Sequence, residues 1–315
     1  MPKVSVVIPT HNRSEFLRLA IGSVLGQTFQ DFEIIVVDDA SSDNTNAVVS
    51  HFRDPRIRYF CHQTNQGVAA ARNTGILNST GEYVAFLDDD DEWLPRKLER
   101  QIEFIAAQSE RVGCVYSGSI EVDRLSGKIR DLVVPAERGN IHDALSSSSC
   151  VGPTSAVLVR KSCFEKVGLF DVNLQYSEDY DMWVRLSKEY HFEFVEEPLV
   201  KFFVQGKGLS RNYRAMLAGK EAILNKYGDY LASDSRNYSK RFLTLGVLYC
   251  YNNNLTKGRK AFLKAICLHP YNMRSYWNLG LSFLGSRLFR ILKEVTERSL
   301  APLRDKKIPR LKELE

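Results

Sequence analysis

The chain has 315 residues, 44% of them hydrophobic and 26% charged, with a net charge of +5. That length holds one large domain or two smaller ones, in the ordinary composition of a soluble globular protein. No apolar run approaches the ~20 residues needed to span a bilayer, and six scattered cysteines without a Cys-x-x-Cys pair argue against a zinc site or a disulfide framework. Met1-Pro2-Lys3 runs straight into an apolar stretch, so no secretory leader is expected and a cytoplasmic setting is. The charge is uneven. Residues 226–315 hold 18 Lys/Arg against 7 Asp/Glu, a net of +11, while residues 1–225 hold 25 against 31, a net of −6. Two modules are therefore expected, 1–225 and 226–315.

Val4–Ile8 is a β-branched run that reads as a strand, closed by Pro9-Thr10-His11-Asn12-Arg13. From Ser14, the expected N-cap, the apolar spacing becomes helical through Leu25. Phe32–Val37 is a second strand, stopped by Asp38-Asp39-Ala40-Ser41-Ser42-Asp43, and Thr45–Phe52 a second helix. Ile57–Phe60 is a short strand, Asn65-Gln66-Gly67 a turn, Val68–Leu77 an Ala-rich helix and Tyr83–Leu87 a fourth strand. This alternation predicts βαβ units and a mostly parallel sheet. Trp93–Ala107 reads as a helix, Val112–Tyr116 as a strand, and Glu121–Val134 as a hairpin about Ser126-Gly127. Ser146–Ser149 is a polar loop, Ser155–Val159 a strand and Lys161–Val167 a short helix. An acidic cluster at Tyr176–Asp181 precedes helical Met182–Lys188 and two strands, His191–Glu196 and Val200–Val204.

After about Tyr213 the pattern is helical. Residues 239–272 resemble one 34-residue tetratricopeptide-like repeat, with Leu245-Gly246, Tyr249, Phe262, Ala265 and Pro270 in register and Gly258 where Ala is usual. A second copy begins at Tyr276 and fades. Because such units need about three copies to stand alone, the region is expected to be packed helices rather than an adaptor. Tyr276, Trp277, Phe283 and Phe289 are read as its core.

The chemistry concentrates where Tyr83–Leu87 ends in four carboxylates, Asp88 to Asp91. A solvated acidic loop is the plain explanation. The sharper one is a hard divalent cation, which takes one or two carboxylates and completes its shell with water and phosphate oxygens. Ligands of open α/β sheets sit at the carboxyl ends of the strands, and that is where these residues fall.

Together, Pro9-Thr10-His11-Asn12-Arg13, Asp38-Asp39, Gln66-Gly67 through Arg72-Asn73, and Asp88-Asp89-Asp90 mark four successive strand ends. With Ser177-Glu178-Asp179-Tyr180-Asp181 downstream, the chain resembles the family 2 inverting glycosyltransferases over roughly residues 3–215. The resemblance implies a GT-A fold, a Rossmann-like and mostly parallel sheet flanked by helices, here followed by an α-helical C-terminal region. It also implies a UDP-sugar donor, Mn²⁺ or Mg²⁺, and a saccharide or lipid-linked saccharide acceptor in polysaccharide or glycoconjugate assembly.

By that resemblance Pro9, Thr10 and His11 line the nucleobase, and Asp39 accepts the base N3–H, a choice an ionised carboxylate can make for uracil over cytosine. Helix capping is the plain alternative for Asp38 and Asp39. Arg13 and Arg72 face the nucleotide-sugar, Asp90 binds the metal, and Asp88 contacts ribose or metal-bound water and is the second metal residue. Asp89 is the intervening residue, turned away or touching the sugar. Asp91 begins the next helix. In extended backbone, residues two apart point the same way, which suits Asp88 and Asp90. Asp179 matches the catalytic base, with Glu178 second; Asp181 caps a helix, and Trp183 is site floor or core.

The Gln-x-x-Arg-Trp motif and the membrane helices of the processive synthases are missing, so a single-addition transferase is expected. No His falls in Phe202-Phe203-Val204-Gln205-Gly206, where relatives often have one; Lys207 or Arg211 would grip the diphosphate instead. His51, His62, His142 and His191 are read as structural. Leu281–Ile291, with Arg287, Arg290 and Lys293, is an expected peripheral contact on the inner face of a membrane. The competing function is a non-catalytic, transferase-like scaffold that holds partners through its tail. A dinucleotide enzyme is excluded by the lack of Gly-x-Gly-x-x-Gly after the first strand, and no nucleic-acid motif accompanies the basic tail.

Overall fold

The computed structural model describes residues 1–204 and 212–299. They form two compact units, the first built from residues 1–145 and 149–204, the second centred on residues 212–299. The first holds β1 (Val4–Thr10), α1 (Ser14–Leu25), β2 (Phe32–Asp38), α2 (Thr45–His51), β3 (Ile57–Cys61), α3 (Val68–Asn78) and β4 (Tyr83–Phe86). There follow β5 (Glu92–Trp93), α4 (Lys97–Ala106), β6 (Val112–Asp123), β7 (Ile129–Val133), α5 (His142–Ser147), β8 (Val157–Arg160), α6 (Ser162–Val167), α7 (Glu178–Glu189) and β9 (His191–Val204), the last two residues of α5 being counted with the second unit.

One sheet runs β3-β2-β1-β4-β8-β6-β9-β5, with β7 on β6. β3, β2, β1 and β4 are all parallel. The far half is mixed: β8 is antiparallel to β4 and β6, while β6 and β9 are parallel. β1 and β2 are buried along their whole length, as apolar runs covered on both faces must be. α3 is Ala-rich because it lies close on β1. A Cβ on Gly75 would stand 2.3 Å from Val7 Cγ1, so no side chain fits there.

Several elements depart from the sequence pattern. The helix expected from Trp93 starts at Lys97. Pro95 disfavours helix at the residue before it, and Glu92–Trp93 pair instead with Val200 and Lys201 as β5. Ser14 is not the N-cap of α1: its N–H donates to Asp43 Oδ2 at 3.0 Å, and Asp43 Oδ1 also accepts from Thr45 N at the start of α2. β6 runs seven residues past Tyr116, then turns through Gly127 (φ 65°) into β7. The two strands expected at 191–204 are one, with register shifts opposite Ser117 and Gly118. Ser146 and Ser147 end a short helix, α5, where loop was expected.

The second unit contains α8 (Tyr213–Leu231), α9 (Ser235–Tyr251), α10 (Leu255–Leu268), α11 (Met273–Leu281) and α12 (Ser286–Ser299). Four of these helices begin at a side-chain cap: Asn212, Asp234, Asn254 and Asn272 each accept from a backbone N–H two or three residues on. α9 and α10 form the hairpin that the repeat spacing anticipates. A Cβ at Gly246 would meet Phe262 at 2.3 Å, and one at Gly258 would meet Cys250 Sγ at 2.7 Å. Gly replaces the usual Ala at 258 because the helices are that close. Cys250, Phe262, Leu281 and Phe289 make the core. Tyr276, Trp277 and Phe283, expected inside, are exposed. Among the described residues no helix is long and apolar enough to cross a membrane.

Candidate active site

Parallel strands β1, β2 and β4 deliver their carboxyl ends to one edge. Thr10 lies beside Asp38 in register, and its hydroxyl donates to Asp89 Oδ2 at 2.7 Å. Arg13 Nη1 stands 3.0 Å from both Asp89 Oδ1 and Asp90 Oδ2. Pro9 is buried in the sheet opposite Val37, while His11 is exposed at the strand's end, its Nε2 3.0 Å from Asn12 Nδ2. Asn12 ties this loop to the next: its N–H donates to Ser41 Oγ, and its Oδ1 accepts from Ser42 N.

Asp38 and Asp39 have different tasks. Asp38 accepts from Ser41 N and from the Tyr59 hydroxyl, which closes the β2 end. Asp39 Oδ1 accepts from Gln66 N at 2.8 Å, and Oδ2 from Gly67 N at 2.7 Å. His62 Nδ1 lies 2.7 Å from Asp39 Oδ1, with its Nε2 2.9 Å from Thr74 Oγ1. Facing a carboxylate, Nδ1 carries the proton, and Nε2 meets a threonine hydroxyl that can serve as donor or acceptor. His62, read as structural, therefore orients Asp39. A lone histidine with no ligand-like spacing gave no signal of this. An ionised carboxylate has about four acceptor sites, and Asp39 uses three of them on protein.

The four carboxylates after β4 do not lie in extended backbone. Asp91 N donates to Asp88 O at 3.0 Å, closing a tight turn. Even so, Asp88 and Asp90 keep side-chain exposures of 28% and 26%, while Asp89 has 6%. Burial pushes the Asp89 carboxyl up to about 6, against the pull of Arg13 and Thr10. Burial also raises Asp90; Arg13 opposes it and the Asp88 charge adds to it. Asp91 is raised well above the carboxylate range by burial and by Asp88. It begins no helix: it accepts from Ser155 Oγ at 2.6 Å and from Phe203 N at 3.1 Å, which fastens the acidic turn to the short 3-10 turn that leads into β8 and to β9.

Arg72, on α3, joins this cluster to the second one. Its side chain is 4% exposed, with Nη2 2.6 Å from Asp88 Oδ1 and Nη1 2.6 Å from Glu178 Oε1. Burial works against the charged guanidinium, yet Asp88 and Glu178 carry its pKa above the ordinary value. Glu178 is raised by burial, with Arg72 opposing. Next to Arg72, Asn73 bonds both the N–H and the C=O of Phe170, which fixes the segment leading to α7. Ser177, at φ 67°, turns the chain into that helix. Glu178 is buried and committed to Arg72, whereas Asp179 is half-buried and accepts from Tyr180 N at 2.7 Å. Asp181 lies in the first turn of α7, fully buried against Arg185 at 2.9 Å. Trp183 is core, edge-on to Phe192.

No group of three His, Cys, Asp or Glu that could hold a metal is present among the described residues. The two partly exposed carboxylates, Asp88 and Asp90, are enough for a hard cation that keeps waters and takes diphosphate oxygens, so the donor set fits Mg²⁺ or Mn²⁺. Lys207 and Arg211 lie outside the described residues.

Residues 5–168 match the family model described as Glycosyl transferase family 2. An uncharacterized glycosyltransferase of Rickettsia typhi is 35% identical over 206 residues, 64% of this chain and 63% of that one, so the match spans less than two thirds of that relative. The Escherichia coli UDP-Glc:α-D-GlcNAc-diphosphoundecaprenol β-1,3-glucosyltransferase WfgD is 32% identical over 186 residues, 59% of this chain and 70% of it. The structure of S. aureus TarS 1–349 in complex with UDP-GlcNAc superposes with a TM-score of 0.60 at 17% identity, covering 94% of this chain and 92% of TarS 1–349. The last is a likeness of fold. The matched span and its sheet of parallel strand ends place this chain in glycosyl transferase family 2, on the GT-A fold.

Proposed function

We propose that the protein is a metal-dependent, inverting hexosyltransferase that moves a sugar from a UDP-sugar to a saccharide or lipid-linked saccharide acceptor. The observation that carries this is the Arg72 bridge between Asp88 and Glu178. A buried guanidinium holds the donor-side carboxylates and the acidic start of α7 within one site, as single-displacement transfer requires. In this reading the first unit is the transferase and the second is its basic helical tail, which begins with α8 at Tyr213 rather than at the expected residue 226.

Pro9, Thr10 and His11 border the base, and the remaining acceptor site of Asp39 takes its N3–H. Arg13 and Asp89 position the turn that carries Asp90. Asp90, with Asp88, would hold Mn²⁺ or Mg²⁺. Such an ion, when bound, neutralises the charge gathering on the departing diphosphate. Asp179 accepts the proton of the acceptor hydroxyl as that oxygen attacks the anomeric carbon in line; the bond to UDP breaks and the configuration inverts. Glu178 is the poorer base because it is buried and its Oε1 is paired with Arg72. WfgD, by its printed name, acts on a diphosphoundecaprenol-linked sugar, which supports a lipid-linked acceptor here.

The tail supports a second expectation. Leu284, Leu288, Ile291 and Val295 are exposed at helical spacing along α12 and its approach, and the surrounding sequence is basic. A cytoplasmic enzyme that rests on the anionic inner face of a membrane would use such a surface. Flotation with anionic liposomes checks this; no binding at physiological salt contradicts it. UDP release with a panel of UDP-sugars, with Mn²⁺ and then with chelator, tests the main reading. Release from one or two donors that stops on chelation is expected. No release from any UDP-sugar would leave the non-catalytic scaffold as the better account.

A further inference from the structure

Arg124 lies in the turn between β6 and β7 and belongs to no motif. Its guanidinium carbon is 4.2 Å from the centroid of the Phe16 ring on α1 and 4.4 Å from that of Phe203 on β9. Nη2 donates to the backbone carbonyl of Asp90. The backbone N–H of Arg124 donates to Val204 O at 3.0 Å. Its Nε is buried with no protein partner among the described residues. Three elements distant in sequence thus converge on one peptide of the acidic turn. β9 reaches that turn twice, through the Phe203 ring under Arg124 and the Phe203 N–H on Asp91.

The arrangement is specific to arginine. A planar, delocalised cation stacks on two rings and still donates in its own plane, which a lysine ammonium cannot do. The bond goes to a carbonyl rather than a carboxylate, so the charge is not cancelled in a direct ion pair among the described residues. Four carboxylates in one turn repel each other, and the repulsion is greatest where the turn is least exposed. A cation fixed on the Asp90 carbonyl opposes that repulsion without occupying either carboxylate oxygen. Arg13 does the opposite: it pairs with the Asp90 carboxylate itself, from an exposed loop.

We propose that Arg124 is a positioning residue, which clamps the Asp90 peptide so that its carboxylate is presented to the cation and diphosphate of the donor. This rests on the reading of Asp90 as the metal residue. The role is that of an outer-shell partner, whose loss costs ~10–100-fold in metal affinity.

The test is Mn²⁺ affinity in the presence of saturating UDP, read by electron paramagnetic resonance on the full chain, with thermal melts alongside. Arg124→Met and Arg124→Lys are both expected to weaken Mn²⁺ by about ten- to a hundredfold, lysine giving no rescue. Phe16→Leu and Phe203→Leu, which remove one ring each, should give intermediate losses and keep the proposal testable if an Arg124 variant fails to fold. Arg124 variants that bind Mn²⁺ as the wild type does, whatever their melting temperature, would overturn it, as would full rescue by lysine. A wild type that binds no Mn²⁺ with UDP would instead remove the donor-site reading, and this role with it.

Discussion

The two acidic clusters have similar composition and opposite wiring. Asp88–Asp91, after β4, sits in a tight turn held by partners far away in sequence: Arg13, Arg72, Ser155 and Phe203. Glu178–Asp181 opens a helix, where successive side chains point in different directions. Arg72 takes Glu178 and Arg185 takes Asp181, while Asp179 makes no direct ion pair among the described residues, although its charge also bears on Arg72. Crowding in the first cluster suits a cation. Spacing in the second leaves a single half-exposed carboxylate, which suits a base. The positions of the charges, rather than their number, distinguish the two clusters and are the basis for the two roles proposed.

If the clusters divide the reaction in this way, Asp179→Asn has the largest effect. Transfer should fall ~10²–10⁴-fold while Mn²⁺-dependent UDP binding persists; substantial residual transfer would exclude Asp179 as the base. Arg72→Met is expected to damage both halves at once. Leaving two carboxylates without their buried partner costs about 3–5 kcal/mol, seen as a lower denaturation midpoint with loss of both UDP binding and transfer. Normal UDP binding in that variant would show that the clusters do not share a joint. Asp39→Asn should weaken UDP by roughly 10–100-fold, the worth of a hydrogen bond to a charged group, and weaken CDP less. Equal losses for both nucleotides would remove Asp39 from base selection. The smallest effect belongs to Asp91→Asn. Its oxygens face Ser155 and Phe203 rather than the cleft, so Mn²⁺ affinity should be unchanged; a large loss would put Asp91 in the metal site.

The strand-end row was legible because apolar runs that stop at turn residues are local signals. The repeat spacing in the tail was legible for the same reason, and Gly246 and Gly258 have clear steric causes. The fate of Asp91 was not legible, since it depends on Ser155 and Phe203, 64 and 112 residues away. His62 and Arg124 were missed because their roles arise only where separate elements meet. Helical spacing marked Trp277 and Phe283 as apolar positions but could not say which face a neighbour covers. Apolar periodicity carries the helical pattern back to Trp93, but Pro95 and pairing with β9 decide otherwise.

Calorimetry of UDP with the wild type, Asp90→Ala and Asp179→Asn, each with and without Mn²⁺, tests the division of labour most directly. The wild type and Asp179→Asn should bind UDP only with the metal, and Asp90→Ala should not bind it in either condition. Metal-independent binding by the wild type, or equal loss in Asp179→Asn and Asp90→Ala, would contradict it.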